Sequence, residues 1–176
     1  MRHPLDFLPA PNRKPLFLTL LAATLILFAI FRVLDTPLQT AAAPNGIVSF
    51  ELAGTPAAAQ TMVDSWDARA RQFAAFGLGL DYLFMPVYAL ALSLGILLAA
   101  GRHTDWFAPL GAWLGWGALA APLFDATENF SLWKFLLGHV AVFWPRLAAV
   151  CATMKFTLLL LGLAYALLGW LWPKRK

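Results

Sequence analysis

The sequence predicts an all-α protein, a polytopic membrane four-helix bundle with short interfacial helices. Of its 176 residues, 61% are hydrophobic and only 12% are charged, and the mean hydropathy is +0.70. Soluble domains contain about 25% charged and about 45–50% apolar residues. A soluble fold of this length would have too little polar surface for such a composition, so a bilayer is the expected solvent.

The chain contains four apolar runs long enough to cross a membrane. A helix rises about 1.5 Å per residue, so about 20 apolar residues span a hydrocarbon core of about 30 Å. We therefore expect a single membrane domain, residues 1–176, with transmembrane helices at about 15–34, 73–100, 106–129 and 146–172.

The first apolar run has an alternative interpretation as a cleaved signal peptide, because Ala41, Ala42 and Ala43 offer small residues for cleavage. The run is longer than the roughly 7–15 residues that such signals use. Two charges, Arg32 and Asp35, also stand between the run and the alanines. A retained transmembrane helix is therefore the favoured prediction.

Two further segments resemble interfacial helices. An amphipathic helix is predicted over about 56–72, with Thr55 as its N-cap and Pro56 at its first position. Its apolar face would carry Met62, Trp66, Ala70 and Phe73. The alternative is that these residues form the water-exposed first turns of the second transmembrane helix. The apolar segment 130–144 is too short to span, which favours an interfacial or re-entrant helix.

The basic residues indicate an orientation and a location. Seven lie on the side of the two termini, and five lie on the other side. Basic residues concentrate in cytoplasmic loops, so we expect a multi-pass protein of the inner (plasma) membrane with both termini cytoplasmic. The net charge of +4 is explained by this topology, and no basic stripe with interleaved aromatic residues predicts nucleic-acid binding. The expected partners are membrane lipids, with a homo-oligomer or another membrane protein as further candidates.

Ionisable residues inside the apolar runs form the candidate polar cluster. A charge within a membrane costs about 2.5–3.5 kcal/mol on insertion scales, so each one needs a reason. Asp81 and Lys155 would lie at similar depths, roughly 12–13 Å from the same side. Asp125, Glu128 and Asn129 come late in the third helix. The cluster is either a structural staple, with the third-helix residues in headgroup water, or a water-accessible pocket.

Three motifs carry a resemblance to a family. IVSFELAG at 47–54, GLDYLFMPVYALALSLG at 79–95 and FDATEN at 124–129 resemble a group of uncharacterised bacterial four-helix inner-membrane proteins. The resemblance implies the architecture but no activity. It places Asp81, Tyr82, Asp125, Glu128 and Asn129 within the motifs, and Lys155 outside them.

Three functions are compatible with these patterns. The first is a membrane protein that binds a lipid or a protein partner through its outer interfacial segments. The second is a small ion-coupled carrier, acting as a homo-oligomer, with Asp81, Glu128 and Lys155 as coupling groups. The third is a lipid-modifying enzyme using Asp125 and Glu128. No nucleophile, metal or nucleotide motif is found, so catalytic residues stay unassigned, and no cofactor or metal is expected.

Overall fold

The computed structural model describes residues 1–104 and 106–171. Six α-helices and one short 3-10 helix, at Thr36–Leu38, make up its secondary structure. The α-helices are α1 (Ala10–Asp35), α2 (Ile47–Glu51), α3 (Pro56–Asp64), α4 (Ala68–Ala100), α5 (Phe107–Leu136) and α6 (Phe143–Leu171). The predicted end of the fourth long helix at Trp172, and the C-terminal basic residues, lie outside the described residues.

Four helices within the described residues, α1, α4, α5 and α6, are long and apolar enough to cross a membrane. The predicted all-helical fold with four long apolar helices is confirmed at this level. Helix α1 begins five residues earlier than predicted and contains Pro15. Pro15 is the sixth residue of α1, beyond the four N–H groups that lack an acceptor within a helix, so the Pro11 carbonyl has no helical N–H donor from position 15.

The prediction of one amphipathic helix over 56–72 was wrong, because two helices share this segment. Thr55 is the expected N-cap of α3, its hydroxyl accepting a hydrogen bond from the Ala58 N–H at 3.2 Å. Helix α3 ends at Asp64, and a turn follows. The Asp67 carboxylate then accepts from the Ala70 N–H at 2.7 Å, which caps the start of α4 at Ala68 rather than at residue 73.

The prediction of a separate helix within 130–144 was also wrong. Helix α5 continues without a break to Leu136, seven residues past its predicted end. Residues 130–136 contain neither glycine nor proline, so nothing in them ends a helix. Gly138, with φ +90°, turns the chain just beyond the end of α5, and α6 begins at Phe143, before Pro145.

The chain divides into two compact units, to which each of the four long helices contributes. The terminal unit comprises Met1–Leu25, Met85–Pro122 and the part of α6 from Lys155 to Leu171. The loop unit comprises Ile26–Phe84 and Leu123–Met154.

The loop unit has a core built from its short helices and its helix ends. Phe50 of α2 packs edge-on against Trp66, with ring centroids 5.3 Å apart, and against Phe135 of α5 at 6.1 Å. The Trp66 indole N–H donates to the Leu38 carbonyl at 2.9 Å. Ala148 of α6 is fully buried in the same cluster. The connection between α1 and α4 is therefore a packed structure in its own right.

The terminal unit is packed through aromatic and small residues. Tyr165 of α6 stacks on Phe107 of α5, with ring centroids 4.0 Å apart, and its hydroxyl donates to the Phe107 carbonyl at 2.7 Å. Gly111 leaves the space that the Tyr165 hydroxyl occupies. His103, in the turn after α4, hydrogen-bonds the Gly169 carbonyl at 3.1 Å near the end of α6.

The residues before α1 also belong to this unit's core. Leu5 packs with Leu94 and Leu97 of α4, and His3 is buried against Gly115 of α5. The Leu5 N–H donates to His3 Nδ1 at 3.2 Å, and the Trp116 indole donates to the Arg2 carbonyl at 3.3 Å. Residues 1–9 are thus held against α4 and α5 by specific contacts.

We expect the terminal unit to lose stability in acid through His3. Burial is the largest cause that lowers the pKa of His3, to about 4 from 6.5, with Asp6 opposing the shift and Arg13 adding to it. The unfolded chain binds the proton more readily between these values, so stability contributed by neutral His3 is complete above about pH 6.5. This contribution to the free energy of unfolding should fall by at most about 1.4 kcal/mol per pH unit as the pH drops towards 4.

Denaturation in detergent at several pH values, comparing the parent with His3→Gln, measures this dependence. The carboxylates titrate in both proteins, so the difference between the two pH profiles of stability reports the His3 imidazole alone. Identical pH profiles would show that His3 does not titrate in this range.

Candidate functional site

Helices α4 and α5 bring the predicted motif residues together in the loop unit. Asp125, Glu128 and Asn129 lie on one face of α5 and are 2%, 0% and 1% exposed. Asp81 of α4 is half-buried, and Tyr82 is largely exposed. These five residues are the buried polar cluster. Their spacing at i, i+3 and i+4 along α5 is what places the three α5 side chains on one face.

Asn129 links the two helices. Its amide nitrogen donates to Asp81 Oδ2 at 2.8 Å and to the Leu78 carbonyl at 3.3 Å. Both amide protons are therefore used, one by a carboxylate and one by the α4 backbone. The Asn129 Oδ1 atom is buried and accepts no hydrogen bond from the residues that the structure describes. The motif pair Asp81 and Asn129 thus fixes the register of α4 against α5.

Tyr82 makes a second polar contact between the same helices. Its hydroxyl donates to the Ala126 carbonyl of α5 at 3.0 Å. On α5, the buried Ser131 hydroxyl donates to the Thr127 carbonyl at 2.7 Å and so bonds only to its own helix. The cluster therefore combines contacts that join the helices with contacts internal to α5.

The interpretation that placed Asp125, Glu128 and Asn129 in headgroup water was wrong. All three are buried by protein within the loop unit. Helix α4 packs against this part of α5, where Asn129 hydrogen-bonds the Leu78 carbonyl and Asp81. Buried polar groups of this kind need hydrogen bonds or charge partners to offset their desolvation.

Lys155 belongs to the terminal unit, where it is buried. Its ammonium lies 4.7 Å from the centroid of the Phe156 ring. The pairing of Lys155 with Asp81 stays a prediction. Arg32 and His139 are exposed residues of the loop unit.

Two buried acidic residues were missed by the sequence reasoning. Asp35, at the end of α1, accepts hydrogen bonds from the Ile47 N–H at 2.7 Å and from Gln39 Nε2 at 3.3 Å. It thereby caps the start of α2 from a distance of twelve residues. Glu51 is also buried, and its position in the ELAG motif was the signal that could have identified it.

No group of three or more His, Cys, Asp or Glu side chains is placed to hold a metal ion within residues 1–104 and 106–171. The single cysteine, Cys151, is buried in α6. The chemistry available in the cluster is therefore that of carboxyl, amide and phenol groups.

A groove of about 420 Å³ lies at the start of α6 in the loop unit. Its lining consists of Val142, Phe143, Arg146, Leu147 and Val150, so Arg146 is its one charged lining residue. The exposed side chains Leu137, Val140, Val142, Phe143 and Val150 make the surface around it apolar.

Aromatic rings stand beside this groove. Trp144 packs against Phe143 at 5.2 Å and against Phe130 of α5 at 5.9 Å between ring centroids. The Lys134 ammonium lies 5.9 Å from the centroid of the Phe130 ring. Phe130, Phe143 and Trp144 thus form one aromatic cluster from two helices, and Phe143 also lines the groove with Arg146.

Comparison with protein-family models, curated proteins and solved structures finds no match to this chain.

Removing the Asn129 side-chain amide should weaken the contact between α4 and α5. We expect Asn129→Leu to lower the free energy of unfolding by about 2 kcal/mol, because Asp81 Oδ2 and the Leu78 carbonyl each lose a donor in a buried setting. Ser131→Ala is the matched control, since that hydroxyl bonds only within α5, and it should cost less than about 1 kcal/mol. Denaturation in detergent would measure both, and equal stabilities of Asn129→Leu and the parent would contradict the proposed link.

Proposed function

We propose that this chain is a multi-pass protein of the bacterial inner membrane, with both termini in the cytoplasm. The four long apolar helices support insertion, and the excess of basic residues on the side of the termini supports the orientation. Membership of the uncharacterised bacterial four-helix family, which the ELAG, GLDYLF and FDATEN motifs indicate, is part of the same proposal.

Its proposed function is to bind a membrane lipid at the groove in the loop unit. The observation that carries this proposal is the groove itself, an apolar depression with a cation, beside a cluster of aromatic rings. Large exposed apolar patches mark surfaces that lipid or protein covers. Aromatic and basic side chains together are typical of the membrane–water interface.

Lipid is favoured over a protein partner because the groove continues along a helix face. Phe143, Leu147, Val150 and Met154 follow one another at steps of four, three and four residues, so they share one face of α6. Phe143, Val150 and Met154 are exposed. An acyl chain lying along this face would stay in contact with apolar side chains beyond the groove.

Lipid retention tests this function. The protein would be purified in mild detergent from cells, and its bound lipids would be counted by native mass spectrometry. Val150→Trp fills the groove from a position that is 61% exposed, so folding should be preserved. We expect the parent to retain lipid and the variant to lose it, and equal retention in the two proteins would refute binding at the groove.

A second candidate, a small ion-coupled carrier, is supported by the burial of Asp125 and Glu128 in a helix of membrane-spanning length. Intramembrane carboxyl groups often mark ion or proton pathways. Proton flux into liposomes under a pH gradient would test it, with Glu128→Gln expected to abolish flux and Asp64→Asn, an exposed acid of α3, expected to preserve it. Flux no higher than in empty liposomes would reject the carrier. The same burial does not favour acid–base chemistry on a lipid substrate, which would have to reach these carboxyl groups.

A further inference from the structure

The charges around the groove specify the class of lipid that it binds. Arg146 projects from the first turn of α6 and is exposed, and Lys134 lies near the end of α5. No carboxylate lines the groove. No ion pair engages either cation within the part of the chain that the structure describes. The polar end of a ligand in this groove therefore meets the positive charge of Arg146.

We propose that the groove binds an anionic glycerophospholipid, with the headgroup phosphate at Arg146 and one acyl chain along α6. This inference rests on the lipid-binding function proposed above and names the ligand class for the same site. An arginine guanidinium presents a planar set of N–H donors that matches the oxygens of a phosphate. The apolar lining of Val142, Leu147 and Val150 accommodates the first part of an acyl chain.

The positive charge of Arg146 selects a net negative headgroup over a zwitterionic one. Phosphatidylcholine and phosphatidylglycerol both offer a phosphate, but choline brings a positive charge close to Arg146. A basic residue near a membrane surface strengthens binding of anionic lipid by about fivefold.

The test is a competition between two lipids of identical acyl chains. Detergent-purified protein would receive an equimolar mixture of phosphatidylglycerol and phosphatidylcholine, and native mass spectrometry would give the ratio bound. We expect the parent to favour phosphatidylglycerol by about fivefold or more, and Arg146→Gln to bring the ratio close to one. Lys134→Gln changes a cation that does not line the groove and should keep a ratio near the parental one.

Arg69→Gln is the matched control, because Arg69 also stands over an aromatic ring, Phe73 at 5.4 Å, in the same unit but does not line the groove. It should keep the parental ratio. An unchanged ratio in Arg146→Gln, with lipid still lost in Val150→Trp, would overturn the headgroup assignment and leave the lipid-binding function standing. If Val150→Trp and Val142→Trp both bound the two lipids as the parent does, the lipid-binding function would be overturned as well.

Discussion

Replacing Trp66 by alanine should lower the free energy of unfolding by about 3–5 kcal/mol. Trp66 is 2% exposed and stands at the centre of the loop unit's core, against the ring of Phe50. Its removal would leave a cavity between α2 and the start of α4, and would also leave the Leu38 carbonyl without its donor. Chemical denaturation in detergent, followed by the fluorescence of a site-specific dye or by circular dichroism, would measure the loss.

Trp66→Phe separates the two contributions. Phenylalanine keeps most of the apolar volume but cannot donate to Leu38, so a loss of about 1–2 kcal/mol is expected. If Trp66→Ala were no more destabilising than Trp66→Phe, the packed core of the connection between α1 and α4 would be disproved.

Replacing Gly46 by alanine should cost about 3 kcal/mol. Gly46 has φ +56° and ψ −127°, a conformation that residues with a Cβ adopt only at a cost of about 1–3 kcal/mol. A Cβ there would also overlap the Asp35 carboxylate, which accepts the hydrogen bond from Ile47 at the start of α2. Displacing that carboxylate would remove a charge-assisted hydrogen bond worth about 1.5–3 kcal/mol.

Gly138→Ala is the control for backbone strain alone. Gly138 has φ +90°, but no neighbouring atom lies within 4 Å of the position that a Cβ would take. We expect Gly138→Ala to destabilise the protein less than Gly46→Ala does. Asp35→Ala removes the hydrogen bond to Ile47 without straining the backbone, so its cost should approach the part of the Gly46→Ala cost that strain does not explain. Equal effects of Gly46→Ala and Gly138→Ala would show that Asp35 contributes nothing at the start of α2.

The long helices were predictable because each one is an apolar run closed by charges or turn residues. The N-cap at Thr55 was predictable for a similar reason, since its hydroxyl acts on a backbone group three residues away. The break after α3 was not recognised, because Trp66 continues the apolar helical spacing while Asp67 acts as the cap of a new helix. The pattern of apolar residues alone does not distinguish a buried turn from a buried helix face.

Only part of the candidate site could be predicted from the sequence, because the burial of its acidic residues depends on contacts between distant segments. The motif resemblance singled out Asp81 and Asn129, and in the structure a hydrogen bond joins their side chains. The burial of Asp125 and Glu128 depends on contacts between segments far apart in the chain, and hydropathy along the chain does not encode these. Asp35 was missed for the same reason, since its partner Ile47 lies across a turn that carries no helical or strand pattern.

The apolar segment 130–144 was expected to form an interfacial or re-entrant helix, and the proposed lipid site lies partly in it, but its geometry differs from that expectation. The segment is shared between the end of α5, a turn and the start of α6. This division brings Phe130 of α5 against Trp144 of α6, with ring centroids 5.9 Å apart.

The proposed lipid-binding and carrier functions both depend on four membrane crossings, with the α1–α4 and α5–α6 connections on the outer face. Single-cysteine labelling tests this arrangement, because Cys151 is the one native cysteine and can be replaced by serine. Ala57→Cys in α3, His139→Cys after α5 and Thr104→Cys after α4 are all at exposed positions. With a membrane-impermeant maleimide on intact spheroplasts, the first two should react before lysis and Thr104→Cys only after it. Reaction of Thr104→Cys before lysis at the rate of Ala57→Cys would contradict the four crossings.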